Sequence, residues 1–243
     1  MGLLPRICYY AFVTALRAYR RLFLDVTVVG RERIPPGPKI YVTNHVASTD
    51  PYWVLPVFTE PVHVIIGPGY QSRVMGWVLD WFGQINAMPA HRHRVVDESI
   101  ERLRRGGSVY TAPEGDIQHP VKMGRYYPGV AKIYRRFPVP IVPIALLSPR
   151  ECLRVIPRLD MTVEGRVYRG VFVLRGPLHI HVGEPYRPEP RDDVNEKEDN
   201  ERIMGEIKER MCGLVTDIRR ETGWWPEEST AVAESHRAAS MSS

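Results

Sequence analysis

A chain of 243 residues with 44% hydrophobic and 25% charged content is long enough for one sizeable domain and too apolar to be disordered. Its formal net charge of +5 favours anionic partners, namely phosphorylated lipids, acidic membrane surfaces, coenzyme A or nucleic acid. The three scattered cysteines (Cys8, Cys152 and Cys212) form no CxxC pair, so neither a disulfide framework nor a structural zinc site is indicated; with no RNA-binding aromatic motif either, nucleic acid is set aside.

Residues 1–24 read as an amphipathic helix. Residues 7–16 carry no charge, and Arg17, Arg20 and Arg21 then interleave with Tyr19, Leu22, Phe23 and Leu24. A run this short does not span a bilayer, which takes about twenty residues, and it lacks the small-residue cleavage site of a signal peptide. Aromatics among arginines suit the headgroup region of a membrane; the competing reading is a first helix packed on the core. Residues 25–30 alternate as a strand, and Pro35-Pro36-Gly37-Pro38 is a turn.

Lys39-Ile40-Tyr41-Val42-Thr43 reads as a strand, and Pro51-Tyr52-Trp53-Val54-Leu55 as the start of a helix. Between them lies Asn44-His45-Val46-Ala47-Ser48-Thr49-Asp50. A histidine and a carboxylate at such a junction make a base and the partner that orients it. From these residues alone a second reading stands: Asp50 caps the helix that Pro51 opens, and His45 is an ordinary turn residue.

Residues 62–66 read as a buried strand. Residues 75–82, with Trp77 and Trp81, read as core or as the lining of an acyl groove, and 85–88 as a strand end. The basic cluster His91-Arg92-His93-Arg94 precedes a helix over 97–105, which Gly106-Gly107 ends. A strand over 108–112 runs into Pro113-Glu114-Gly115-Asp116. Lys122, Arg125 and Lys132 flank Gly124 and Gly129. Residues 130–137 read as a helix, 138–146 as a buried strand, and 171–174 and 178–182 as late strands. A polar, proline-rich connection over 185–198 leads to an amphipathic helix over 198–220, with Ile203, Ile207, Met211, Leu214 and Ile218 on one face. The alternation predicts an α/β single domain over 25–222: a mixed, largely parallel central sheet flanked by helices, plus the N-terminal amphipathic helix and a C-terminal helix. Residues 223–243 are small and polar and are expected to be a disordered tail.

In order and spacing these motifs resemble the glycerolipid acyltransferase family, which includes the lysophosphatidate acyltransferases. The resemblance runs from about residue 26 to 185. Asn44-His45-x4-Asp50 matches the family's NHx4D motif, and Pro113-Glu114-Gly115 its FPEG block. Gly83-Gln84-Ile85 fits the block between them, and Gly129 through Pro143-Ile144 the later glycine and VP-type strand.

The resemblance implies a peripheral or monotopic enzyme on the cytoplasmic face of a membrane. It would move a fatty acyl group from acyl-CoA or acyl carrier protein to a hydroxyl of a lysophospholipid or glycerol-phosphate-like acceptor. His45 would be the general base and Asp50 its orienter, with no covalent nucleophile and no cofactor beyond the co-substrate. Backbone amides near the helix start would stabilise the oxyanion, and Ser48 and Thr49 either assist or are turn residues. The Pro113-Glu114-Gly115 block and nearby basic residues would hold the acceptor's phosphate, with Glu114 orienting a basic side chain or holding a substrate hydroxyl and Gly115 letting the backbone approach closely. Two departures bear on this. Asp116-Ile117-Gln118 stands where the family has Thr-Arg-Ser, and Pro89 where it has an arginine. Arg92, Lys122 and Arg125 are the candidates to supply the missing charge. His91, His93 and His119 match no familiar ligand spacing, so no metal is expected. The alternatives are a non-catalytic lipid-binding protein of the same fold and a hydrolase using the same dyad.

Overall fold

The computed structural model describes residues 2–189, 191 and 194–225. The chain opens with α1 (Leu3–Phe23), passes directly into β1 (Leu24–Val29), and continues through β2 (Ile40–Thr43), α2 (Asp50–Val54), β3 (Val62–Ile66), α3 (Arg73–Trp81), β4 (Ile85–Asn86), α4 (Val95–Arg104) and β5 (Ser108–Thr111). Then follow α5 (Gly129–Arg136), β6 (Ile141–Leu147), the short strands β7 (Leu153–Val155), β8 (Met161–Val163), β9 (Arg166–Tyr168) and β10 (Val171–Val173), then β11 (Gly176–Val182) and α6 (Glu196–Thr222).

Seven strands form the central sheet in the order β1-β11-β6-β2-β5-β3-β4. From β6 to β4 all neighbours are parallel, whereas β11 is antiparallel to β6, with β1 parallel to it at the edge. The expected mixed, largely parallel sheet is therefore the observed one. Its central strands are buried on both faces, as a covered parallel sheet requires. The period-two alternation of side chains sorts them. Tyr41, Val142, Ile144 and Leu146 join the core under α1 and α2, while Ile40, Val42, Ile141 and Leu147 join the core under α4, α5 and α6. At the start of β2, Lys39 is fully buried and its Nζ donates to Glu60 Oε1 at 2.6 Å, so this charge enters the core with a partner.

The sequence pattern marks no element over residues 153–168, where β7 pairs with β10, and β8 with β9 as a hairpin. Strands of three residues with arginines at 154, 158, 166 and 169 carry too little alternation to show as a pattern. On α6, Val215 takes the fully buried position and Leu214 sits at its margin. The expected tail also starts too early. Gly223 is left-handed (φ 69°) and ends α6, and Trp225 folds back so that its Nε1 donates to the Ser148 carbonyl at 2.8 Å. The remainder of that expectation, residues 226–243, lies outside the described residues.

Candidate active site

The parallel strands β2, β5, β3 and β4 all end at one edge of the sheet, so the loops that follow them gather there. This is where open α/β sheets bind ligands. His45 follows β2, Glu114 follows β5 and Arg92 follows β4.

Asn44 fixes the loop after β2. Its amide Nδ2 donates to the Leu146 carbonyl and its Oδ1 accepts from the Leu146 N–H, both at 2.8 Å, so the side chain extends the ladder to β6 by one rung. His45 then turns outward with its Nδ1 3.0 Å from Asp50 Oδ2, its side chain 24% exposed against 3% for Asp50. The same Asp50 oxygen accepts the backbone N–H groups of Val46 (2.8 Å) and Ala47 (2.9 Å). Three donors converging on one oxygen hold it in place, and Nδ1–H is the tautomer that such an acceptor selects. The lone pair is left on Nε2.

This geometry corrects the expected capping role of Asp50. Asp50 is the first residue of α2, not the residue before it, and its carboxylate reaches back to Val46 and Ala47. It also removes the nearest oxyanion donors expected at the helix start. The His45 N–H donates to Glu114, the Val46 and Ala47 amides to Asp50, and the Ser48 N–H to the Val171 carbonyl at 2.7 Å. Every amide from 45 to 48 is thus engaged in holding the loop. The Thr49 hydroxyl likewise bonds the backbone of Val173, accepting its N–H at 3.1 Å. Trp53 Nε1 donates to the Val173 carbonyl at 2.8 Å, so β10 clamps the start of α2.

Glu114 is buried. Its Oε2 accepts the His45 N–H at 2.9 Å and its Oε1 the Gly124 N–H at 3.2 Å. Burial pushes its carboxyl above the usual range, with the two amides pulling the other way. Glu114 therefore joins the His45 loop to the 118–124 loop instead of orienting a basic side chain. Gly115 is left-handed (φ 66°), and a Cβ there would lie 3.2 Å from the Tyr127 ring, so glycine suits both the turn and the space.

The three basic candidates are spread out. Lys122 and Arg125 are exposed on the loop that Glu114 holds through Gly124, and the Arg125 guanidinium lies 5.9 Å from the Tyr127 ring centroid. Arg92 is exposed in the Pro89–Arg94 turn after β4, and β4 lies three strands along the sheet from β2. Among the described residues no hydrogen bond or ion pair joins any of the three to His45, Asp50 or Glu114. The cation that does reach the Pro113-Glu114-Gly115 turn is Arg166, on β9, whose Nη2 lies 2.7 Å from Asp116 Oδ2. Only the unusual Asp116 hinted at a partner, and nothing in the sequence tied it to an arginine fifty positions away. His91 and His93 are exposed in the Pro89–Arg94 turn, and the His119 ring packs against Trp225 at 5.2 Å.

The fold is a mostly parallel α/β sheet with a histidine–aspartate pair after a central strand and a buried glutamate bracing it. The chain belongs to the acyltransferase family: a family model described as Acyltransferase matches residues 25–147. A chloroplastic 1-acyl-sn-glycerol-3-phosphate acyltransferase of Brassica napus is 27% identical over 136 residues, covering 52% of this chain and 38% of the relative. One from Arabidopsis thaliana is 25% identical over 136 residues, covering 52% and 37%. The chain thus spans well under half the length of these curated relatives. The crystal structure of the 1-acyl-sn-glycerophosphate acyltransferase PlsC from Thermotoga maritima superposes with a TM-score of 0.54 at 20% identity, covering 83% of this chain and 79% of that one, a likeness of fold.

Proposed function

We propose that this chain transfers a fatty acyl group from a thioester donor, acyl-CoA or acyl carrier protein, to a hydroxyl of a lysophospholipid or glycerol-phosphate-like acceptor. The observation that carries this reading is the partly exposed His45 imidazole held 3.0 Å from the buried Asp50 carboxylate. Nε2 takes the proton of the acceptor hydroxyl, whose oxygen attacks the thioester carbonyl. Asp50 steadies the imidazolium, and the thiol departs with the proton that Nε2 returns. The curated relatives carry 1-acyl-sn-glycerol-3-phosphate acyltransferase names, which supports an acceptor of this class.

The reaction takes place at a membrane surface. Leu3 and Ile7 of α1 are 78% and 56% exposed, and the Phe12 ring meets that of Tyr52, two residues past Asp50, at 6.2 Å. Val74 and Trp77 on α3 are likewise exposed, which supports a second apolar contact, while Arg17, Arg20 and Arg21 line a depression of about 290 Å³ against β1. Aromatic and aliphatic groups beside arginines suit an anionic lipid interface. Among the described residues no helix is long and apolar enough to cross a membrane.

The test is mass-spectrometric detection of product from the purified protein, mixed acyl thioesters and a panel of lyso-lipids. His45→Ala should lower the rate at least about a hundredfold with unchanged melting behaviour. Undiminished turnover in that variant overturns the reading, and release of free fatty acid without acylated product replaces it with hydrolysis.

A further inference from the structure

Away from the acyl-transfer site, the opposite half of the sheet carries a second cluster. His179 and His181 stand two apart on β11, so the strand's period places both on one face, with ring centroids 6.0 Å apart. That face looks towards the C-terminal turn of α6, where Glu221 Oε2 lies 3.3 Å from His181 Nε2. One ligand atom from each of the three residues falls within 4.8 Å of the others. His181 is only 4% exposed, yet its Nε2 makes no hydrogen bond, and neither does the buried Nδ1 of His179. Two buried imidazole nitrogens without hydrogen-bond partners, in a cluster with a carboxylate, are costly as they stand.

We propose that His179 Nδ1, His181 Nε2 and the Glu221 carboxylate bind one divalent cation of the zinc class. Two imidazoles and a carboxylate are a borderline ligand set of the kind zinc takes, with water in the fourth position. Tetrahedral zinc has bonds of about 2.0–2.1 Å, which sets its ligand atoms about 3.3–3.4 Å apart. The His181–Glu221 edge is at 3.3 Å already, and a rotation of the partly exposed His179 side chain closes the rest. The Trp224 ring packs edge-on against His179 at 4.9 Å and narrows the approach from solvent. Bound there, the ion ties the last turn of α6 to β11. It stands clear of His45, which follows β2, two strands away.

The experiment uses full-length protein without a histidine tag, stripped with chelator and titrated with zinc chloride by calorimetry, with cobalt(II) absorption as a second readout. One zinc per chain is expected, with a rise in melting temperature and a tetrahedral cobalt spectrum. His179→Gln and Glu221→Gln, at the two less buried positions, should each weaken binding by at least about tenfold and remove the thermal shift. Absence of zinc binding by the wild-type chain overturns the proposal, as does binding that both variants retain. Because the readout is metal uptake, its outcome is independent of acyl transfer.

Discussion

Glu114 grips the backbone of His45, not its imidazole: Oε2 accepts the His45 N–H at 2.9 Å while Oε1 holds the N–H of Gly124 at 3.2 Å. One buried carboxylate therefore sets the position of His45 and of the loop carrying Lys122 and Arg125. Glu114→Gln keeps the shape but offers only one acceptor and turns an NH2 group towards a donor. Leaving a buried N–H without a partner costs about 1–3 kcal/mol. The turnover number should fall about tenfold to a hundredfold, and the melting temperature should drop. A Gln variant with wild-type kinetics would show that the brace is not needed for catalysis.

Asp50 predicts a larger and different effect. In Asp50→Asn the amide can still accept one N–H, so the loop survives, but it no longer selects the Nδ1–H tautomer or stabilises the imidazolium. By the logic of histidine–aspartate pairs the turnover number should fall about 10³–10⁴-fold with acceptor KM little changed. Steady-state kinetics at saturating donor reads this directly. A fall in KM-dependent terms alone would assign Asp50 to the scaffold.

How much of this was legible in the sequence depends on range. The alternation of Ile40, Tyr41 and Val42, and the stretch Asn44 to Asp50, are local patterns, and they placed a central strand and a candidate dyad correctly in space. The bond from Glu114 to the His45 amide spans 69 positions and involves backbone, which leaves no compositional trace. The same holds for the Thr49–Val173 clamp across 124 positions. The hairpin that carries Arg166 failed to show because its strands are three residues long and largely exposed, so no hydrophobic period marks them. Lys122 and Arg125 lie near the glutamate in sequence and Arg92 near Pro89, and nearness along the chain has no way to point to Arg166.

Arg166 is the residue to test for the acceptor. Its guanidinium lies 2.7 Å from Asp116, next to Gly115, and 5.2 Å from the Tyr168 ring. The pair is partly solvated, so it adds little to stability. Its value is in keeping a cation at the turn after β5. Arg166→Ala should raise the KM for a phosphate-bearing acceptor by about tenfold, the scale of one charge-assisted hydrogen bond, and leave the donor KM unchanged. Equal effects on both substrates would point to collapse of the hairpin, which a shift in melting temperature would confirm.

Stability should decline on mild acidification. Burial holds His63, His179 and His181 below the usual histidine range; for His63 the bond from Nδ1–H to the Gly83 carbonyl (2.7 Å) acts in the opposite sense. A depressed folded value means the unfolded chain takes up protons first. The stability these groups lend is full above about pH 6.5 and is lost as pH falls through their folded values. Glu60 extends the loss to lower pH. Burial alone would push its carboxyl up, but the hydrogen bonds from Lys39, Thr59 and Tyr41 and the Lys39 charge hold it below the usual carboxylate range. Glu114, whose value is raised, opposes the trend over its own window. The melting temperature should therefore fall between pH 7 and 5. His63→Gln should flatten that slope, and an unchanged slope would remove His63 from the account.

The arginines of α1 make a quantitative case for lipid contact. Arg20 is held down to about 10 by burial and by the neighbouring charges of Arg17 and Arg31, and its Nη1 donates to the Trp53 carbonyl at 3.2 Å. Crowded cations repel one another, and an anionic surface relieves that repulsion. Arg17 and Arg21 can be changed without touching the Trp53 bond. Each cation near an anionic bilayer contributes about 1 kcal/mol, so Arg17→Gln with Arg21→Gln should weaken binding to phosphatidylserine vesicles about thirtyfold. Binding should also fall steeply with salt. Ile7→Glu acts on the other component by placing a charge on the exposed apolar face, and it should reduce binding to neutral and anionic vesicles alike. Sedimentation with vesicles separates the two. If the arginine pair matters and Ile7 does not, α1 meets the membrane by charge alone; if neither matters, the helix is no membrane contact.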